Sequence, residues 1–208
     1  MPSDPWPLIH AERSALITDL SDLPDQAWST RSLCPNWTVL DVLGHMTATA
    51  RMTPTRFVSH LAAAGFRFHT MSAKDVATET AAGPKATLAA FDSLRGASTA
   101  PPGPTEAMLG EAVIHSQDIR RPLGIGRDYP SEAVVRVLDF FKGSNLLIGS
   151  KKRIEAVSMR ATDADWSYGS GPELAGPAIS LALAMTGRSA GLQDLTGPGV
   201  DVLRARMG

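Results

Sequence analysis

Glu111 and His115 stand four residues apart in the stretch from Thr105 to Gly124, TEAMLGEAVIHSQDIRRPLG. On a helix that spacing brings side chains roughly 5–6 Å apart at Cβ and aims them the same way. A carboxylate and an imidazole presented together chelate a divalent metal from one helix, as two histidines do in the HExxH pattern. The bland alternative is an ordinary Glu–His pair on a helix surface. Glu111, however, falls on the apolar stripe of its helix, formed by Met108, Ala112 (or Leu109), His115 and Ile119, where an unpaired charge is costly. That favours a metal site and requires a third ligand from elsewhere.

Five histidines are present. His45 lies on the apolar face of a helix opened by Thr38, as a ligand in a helix-bundle core should. His60 is about 22 Å further along the same predicted helix at 1.5 Å per residue, so both cannot bind one ion. His69 falls in a predicted loop and His10 precedes a polar stretch of the first helix, which leaves His45 as the best third ligand. Asp41, four residues before His45, reads foremost as the acidic partner of a Thr38 capping box, with contact to His45 or ligation as alternatives. Cys34 is a ligand, a reactive thiol or, as is commoner for a cysteine in a Pro-flanked loop, inert.

The elements that must position these groups follow from periodicity and punctuation. Helices are expected over Pro5–Leu20, from Thr38 to about Ala64 with a kink or stop at Pro54, over Pro84–Arg95, and from Thr105 to Arg121, where Pro122 clashes with a continuing turn. Residues 65–84 read as loop with at most a helical piece in MSAKDVATETA. A further helix runs from Pro130–Ser131 through Leu147. Beyond Gly149 the texture changes. Arg153–Ala161 and the TDADWSYGSG segment read as two antiparallel strands joined at residues 162–164, and PELAG as a short strand or turn. Helices from Pro177 to Met185 and from near Pro198 close the chain. The expected organisation is a helical domain over 1–148 and a small α/β domain over 149–208.

The 208 residues are 43% apolar and 20% charged, with a net charge of −1. Such a chain builds a globular core and lacks the basic face of a nucleic-acid binder. The single cysteine excludes a disulfide framework and a Cys-based zinc knuckle. No apolar run is long enough for a membrane span, and no leader pattern opens the sequence, so the cytoplasm is the expected location.

LCPNWTVLDVLGH (Leu33–His45), GEAVIHSQDIRRPLG and the closing ALAMTGR…DLTGPG together resemble the mycothiol-dependent maleylpyruvate isomerase family within the DinB-like superfamily. The resemblance spans nearly the whole chain. Its W-T-V-x-D-V-x-x-H and E-x-x-x-H-x-x-D blocks are fairly specific for the superfamily and much less so for one substrate. It implies a mainly α fold, a DinB-like four-helix bundle followed by a small C-terminal α/β domain. It implies a divalent metal, zinc foremost, held by His45, Glu111 and His115. It also implies a catalytic arginine from the C-terminal domain, for which Arg188 is the candidate beside an ordinary helix-end role. No motif supports Arg67 as a second anion-binding arginine.

Three ligands on zinc leave one coordination position open. The expected function is a metal-dependent isomerase or transferase that uses mycothiol on a small electrophilic, carboxylate-bearing substrate. A hydrolase, a metal-binding bundle without turnover, and a structural dimer with a buried ion pair are the alternatives. No nucleic-acid or membrane partner is expected, and the chain is read as a monomer or homodimer.

Overall fold

The computed structural model describes residues 3–146 and 148–207. The chain divides into two compact units, the first ending at Gly126 and the second beginning at Arg127. The boundary therefore lies earlier than the expected 148, because the helix after Tyr129 packs with the C-terminal elements.

In the first unit, α1 (Trp6–Leu20), α2 (Val39–Ala50), α5 (Pro84–Asp92) and α6 (Glu106–Leu123) form the bundle. α3 (Pro54–Ala63) and α4 (Phe68–Thr80) are inserted between α2 and α5. Leu16, Leu20, Trp28, Val42, Leu43, Met46, Phe91 and Ile119 make one buried cluster. α2 begins where Thr38 and Asp41 close a capping box: the Thr38 N–H donates to Asp41 Oδ2 at 2.8 Å and the Asp41 N–H to Thr38 Oγ1 at 3.2 Å. Asp41 is thus the cap, which satisfies helix-end donors that would otherwise lack partners.

Of the kink or stop expected at Pro54 in the Thr38–Ala64 stretch, the structure has a stop, and a new helix begins there. α2 stops at Ala50, and Pro54 opens α3 at its first position with Thr53 as cap, accepting the Arg56 N–H at 3.3 Å. Proline at the first helical position loses no hydrogen bond, so Thr-Pro reads as a start rather than a kink. The segment expected mostly as loop contains the full helix α4, which buries Met71, Ser72 and Val76. It lies against α2 because residue 44 is glycine: a Cβ there would stand 2.6 Å from Thr80 Cγ2.

α6 also departs from expectation, running through Pro122 to Leu123 and ending on Gly124 in the left-handed conformation (φ 68°). Gly124 and Ile125 N–H groups donate to the Arg121 and Arg120 carbonyls at 3.1 and 3.0 Å, closing the helix end. Proline cannot donate to the Asp118 carbonyl four residues back. That carbonyl instead accepts the Leu33 N–H at 3.1 Å. The helix survives its proline because the orphaned acceptor is used by the incoming loop.

The second unit contains α7 (Ser131–Phe141), which ends before the expected Leu147, a residue outside those described. α8 (Ser150–Arg153) ends on the first residue of the expected strand, and a turn over 154–156 delays the strand itself to Ser158. β1 (Ser158–Ala161), β2 (Ser167–Gly169) and β3 (Glu173–Gly176) form a sheet of order β2-β1-β3. β2 is antiparallel to β1, pairing Tyr168 with Met159, and β3 is parallel to β1, pairing Leu174 with Met159. The chain passes from one edge to the other close beneath β1. At Gly171 (φ 123°) a Cβ would stand 2.3 Å from the Ala156 carbonyl oxygen, so no larger residue fits. α9 (Ala178–Met185) is buried along nearly its whole length and packs on α7 and the sheet; α10 (Gly199–Ala205) packs on β3.

The α1–α6 seam carries buried charge. Arg120, fully buried, donates through Nη1 to Glu12 and through Nε to Asp19 at 2.7 Å. Removing one member of a buried pair leaves the other uncompensated. Arg120→Ala is expected to lower unfolding free energy by about 3 kcal/mol. Urea denaturation checks this, as a lower midpoint at unchanged slope.

Candidate metal centre

His45 from α2 and His115 from α6 meet with ring centroids 4.9 Å apart at an interplanar angle of 77°. The Trp37 indole, in the turn before α2, packs 5.1 Å from the His45 ring. Each imidazole is held at Nδ1. His45 Nδ1 lies 3.5 Å from the Ser72 hydroxyl of α4, and His115 Nδ1 lies 2.8 Å from Asp118 Oδ2. Asp118 is fully buried and sits three residues beyond its partner on the same helix. With Nδ1 engaged by Asp118, a neutral His115 ring would hold its proton there and present Nε2 to another partner.

Glu111 lies one turn before His115. Its Oε1 is shielded from solvent and has no hydrogen-bond partner. Burial pushes its pKa up, against the opposing pull of the His115 and Arg13 charges. Arg13 of α1 is itself buried. Its Nη1 donates to the Ala97 and Leu94 carbonyls at 2.8 and 3.3 Å, whereas Nε and Nη2 find no partner. Burial lowers the Arg13 pKa and the Glu111 charge opposes that. A buried carboxylate oxygen without a donor, one turn from the His115 imidazole on the same helix, is a group that a cation would satisfy.

Cys34 enters the same cluster. Its Sγ donates to Asp118 Oδ2 at 2.9 Å and lies 3.7 Å from His115 Nδ1. One ligand atom each from Cys34, His115 and Asp118 lie within 4.8 Å of one another, and among the described residues this is the trio whose ligand atoms stand close enough to hold a metal. It shares His115, but not His45 or Glu111, with the set expected from the sequence. The signal for Asp118 in the sequence is its i+3 spacing from His115; nothing local signals Cys34, whose contacts are 81 and 84 residues away in the chain.

The other residues singled out from the sequence lie elsewhere. His60 Nδ1 bonds Asp75 at 2.8 Å, His10 stacks on Trp6, His69 packs edge-on against Phe68, and Arg67 is exposed at the start of α4. Arg188, in the second unit, donates to the Thr186 carbonyl at 3.2 Å. Its charge, together with burial as the larger cause, lowers the pKa of Arg153.

Residues 9–120 match the family model described as the mycothiol maleylpyruvate isomerase N-terminal domain. The chain belongs to that family. The match includes Cys34, His45, Glu111, His115 and Asp118. Two crystal structures of the mycothiol-dependent maleylpyruvate isomerase, one of a histidine-to-alanine mutant, share the fold. Their TM-scores are 0.64 for the mutant and 0.62 for the other. Each is 14% identical, over 93% of this chain and 91% of the other. The fold is therefore the mainly helical, DinB-like architecture of this isomerase, with the small sheet-containing unit at its C-terminus. No protein of curated function matches the chain.

Burial alone would lower the His115 pKa, but its hydrogen bond to Asp118, the contact with Cys34 and the Asp118 charge hold it at about 10. A folded-state value above the ordinary 6.5 contributes stability that is complete below the unfolded value and is lost as pH rises through the folded one. Metal-free protein is therefore expected to lose stability as pH approaches about 10. Urea titration against His115→Gln, which lacks this component, measures the difference.

Proposed function

We propose that the chain is a divalent-metal-dependent enzyme that uses mycothiol, as an isomerase or thiol transferase acting on a small electrophilic, carboxylate-bearing substrate. The observations that support the reading are the facing His45 and His115 rings and, one turn before His115 on the same helix, the buried, partnerless Oε1 of Glu111. His45, Glu111 and His115 would hold the metal. Two imidazoles and one carboxylate are the donor set of catalytic zinc sites with an open position, and zinc is the ion we favour. When bound, such an ion supplies a positive centre that keeps a thiol ionised at neutral pH, the chemistry needed for reversible thiol addition to an activated double bond.

The chain's own residues prepare that site. Ser72 and Asp118 hold the Nδ1 edges of the two imidazoles, which leaves Nε2 of each ring for the ion. Arg13, lodged in the bundle with one amino group on the carbonyls of residues 94 and 97, balances the Glu111 charge. The Trp37 ring shields one side of His45 from water. Arg188 is assigned the substrate carboxylate, since a guanidinium binds that group through two parallel hydrogen bonds. Among the described residues no helix is long and apolar enough to cross a membrane; we place the protein in the cytoplasm and its partners among small molecules.

Metal analysis of untagged protein, followed by titration with mycothiol, tests the reading. About one zinc per chain with saturable thiol binding is expected. His45→Ala, Glu111→Gln and His115→Ala should lose the metal, whereas His60→Ala keeps it. Arg188→Ala should keep the metal and lower kcat/KM on maleylpyruvate or a related electrophile by about tenfold to a hundredfold. Full metal retention by both histidine ligand variants would end the proposal.

A further inference from the structure

We propose that Cys34 and Asp118 are not metal ligands but positioning residues: a thiol–carboxylate pair that fixes which nitrogen of His115 faces the ion. The inference rests on the ligand set His45, Glu111 and His115 proposed above.

Three observations carry it. First, the two candidate metal groups compete for one ring. The Cys34–Asp118 pair lies at Nδ1 of His115, and the nitrogens of an imidazole lie on different edges of the ring. An ion at Nδ1 would displace the His115–Asp118 hydrogen bond and leave the buried Asp118 carboxylate short of a donor. An ion at Nε2 keeps that bond. Second, Asp118 Oδ2 already accepts two donors, His115 Nδ1–H at 2.8 Å and the Cys34 thiol at 2.9 Å. A fully buried carboxylate held by two donors is a satisfied anion. It needs no cation, and it pulls the ring proton to Nδ1.

Third, Cys34 is built into its place. The Leu33 N–H docks on the Asp118 carbonyl that Pro122 leaves free, at 3.1 Å. The Cys34 N–H donates to Ser32 Oγ at 3.1 Å, and the Trp37 N–H donates to the Cys34 carbonyl at 3.2 Å. Asn36 completes the turn in the left-handed conformation (φ 67°), which asparagine tolerates better than most residues. Main chain and side chain of Asp118 thus grip the loop together, the one through Leu33 and the other through Cys34. The loop orients the carboxylate, and the carboxylate orients the imidazole.

Cobalt(II) and zinc(II) loading of the full-length chain tests this. Cobalt-loaded protein should show visible bands of a nitrogen- and oxygen-ligated ion without the intense near-ultraviolet band of cobalt–thiolate, and Cys34→Ser should leave that spectrum unchanged. In zinc-loaded protein, 15N spectra should find His115 protonated at Nδ1 and metallated at Nε2. Asp118→Asn should weaken zinc binding, measured by chelator competition, by about tenfold to a hundredfold. Cys34→Val should weaken it by up to about tenfold, with Cys34→Ser restoring most of the loss through its hydroxyl donor. A cobalt–thiolate band lost in Cys34→Ser would make Cys34 a ligand and overturn the inference while a metal centre stands. A His115 metallated at Nδ1, or unchanged zinc affinity in Asp118→Asn, would overturn it as well. Failure of the wild-type chain to bind either ion would remove both this inference and the proposed function. The wild-type spectra decide even if Asp118→Asn does not fold.

Discussion

The buried carboxylate of Asp118 is the constraint on which the site depends. A carboxylate removed from water must be surrounded by donors or it takes up a proton. Asp118 meets that demand with one side chain from its own helix and one from a loop far away in sequence. Satisfying one anion therefore joins α6 to the turn that leads into α2. His45 is carried on α2, so the hydrogen bonds that settle Asp118 also help bring the two imidazoles face to edge. Packing of Val42, Leu43, Met46 and Ile119 supplies the general attraction between these helices, and the polar contacts select the register.

The first unit is unusual in how much charge it encloses. Glu12, Arg13, Asp118 and Arg120 are all nearly or fully buried, and Glu111 has an oxygen out of reach of solvent. Two regimes are visible. Arg120 is matched by Glu12 and Asp19 within hydrogen-bonding distance, and that pairing fastens α1 to α6. Arg13 and Glu111 act on each other's ionisation, but Arg13 spends its hydrogen bonds on the Leu94 and Ala97 carbonyls and Glu111 Oε1 has no hydrogen-bond partner. Unsatisfied polar atoms of this kind cluster where a protein keeps something in readiness. Here the two regimes lie on one helix, the structural pair at Arg120 and the partnerless acid at Glu111.

Legibility from sequence followed the range of the interaction. The helix carrying Glu111 and His115 was readable because helical periodicity is local, and the helix carrying His45 because a capping box and an apolar face announced it. Asp41 was readable as a cap for the same reason. Asp118 was within reach through its spacing from His115. Cys34 was not, since its role depends on contacts that no local pattern encodes. α4 was seen only as a fragment because it buries just Met71, Ser72 and Val76, too few apolar residues to mark a face. Its contribution of Ser72 to His45 went unseen with it. The proline rule misplaced the end of α6, because a proline near a helix terminus costs little when another donor takes the freed carbonyl. In the second unit the first strand proved shorter than its alternating pattern, because α8 ends on Arg153 and residues 154–156 form a turn, and the parallel partner β3 had shown only as a strand or turn.

Pro122 gives the site a property that side chains alone could not. An α-helix consumes its own carbonyls, so a loop approaching its flank ordinarily finds no acceptor there. One residue without an N–H opens one acceptor, at a single turn and on a single face. The loop carrying Cys34 then has one place to land, and sliding it along α6 by a residue in either direction offers it nothing. The covalent chemistry of an imino acid is thereby converted into an address, written in the backbone and read by another part of the same chain. That address lies in the turn directly after the histidine whose orientation the loop controls.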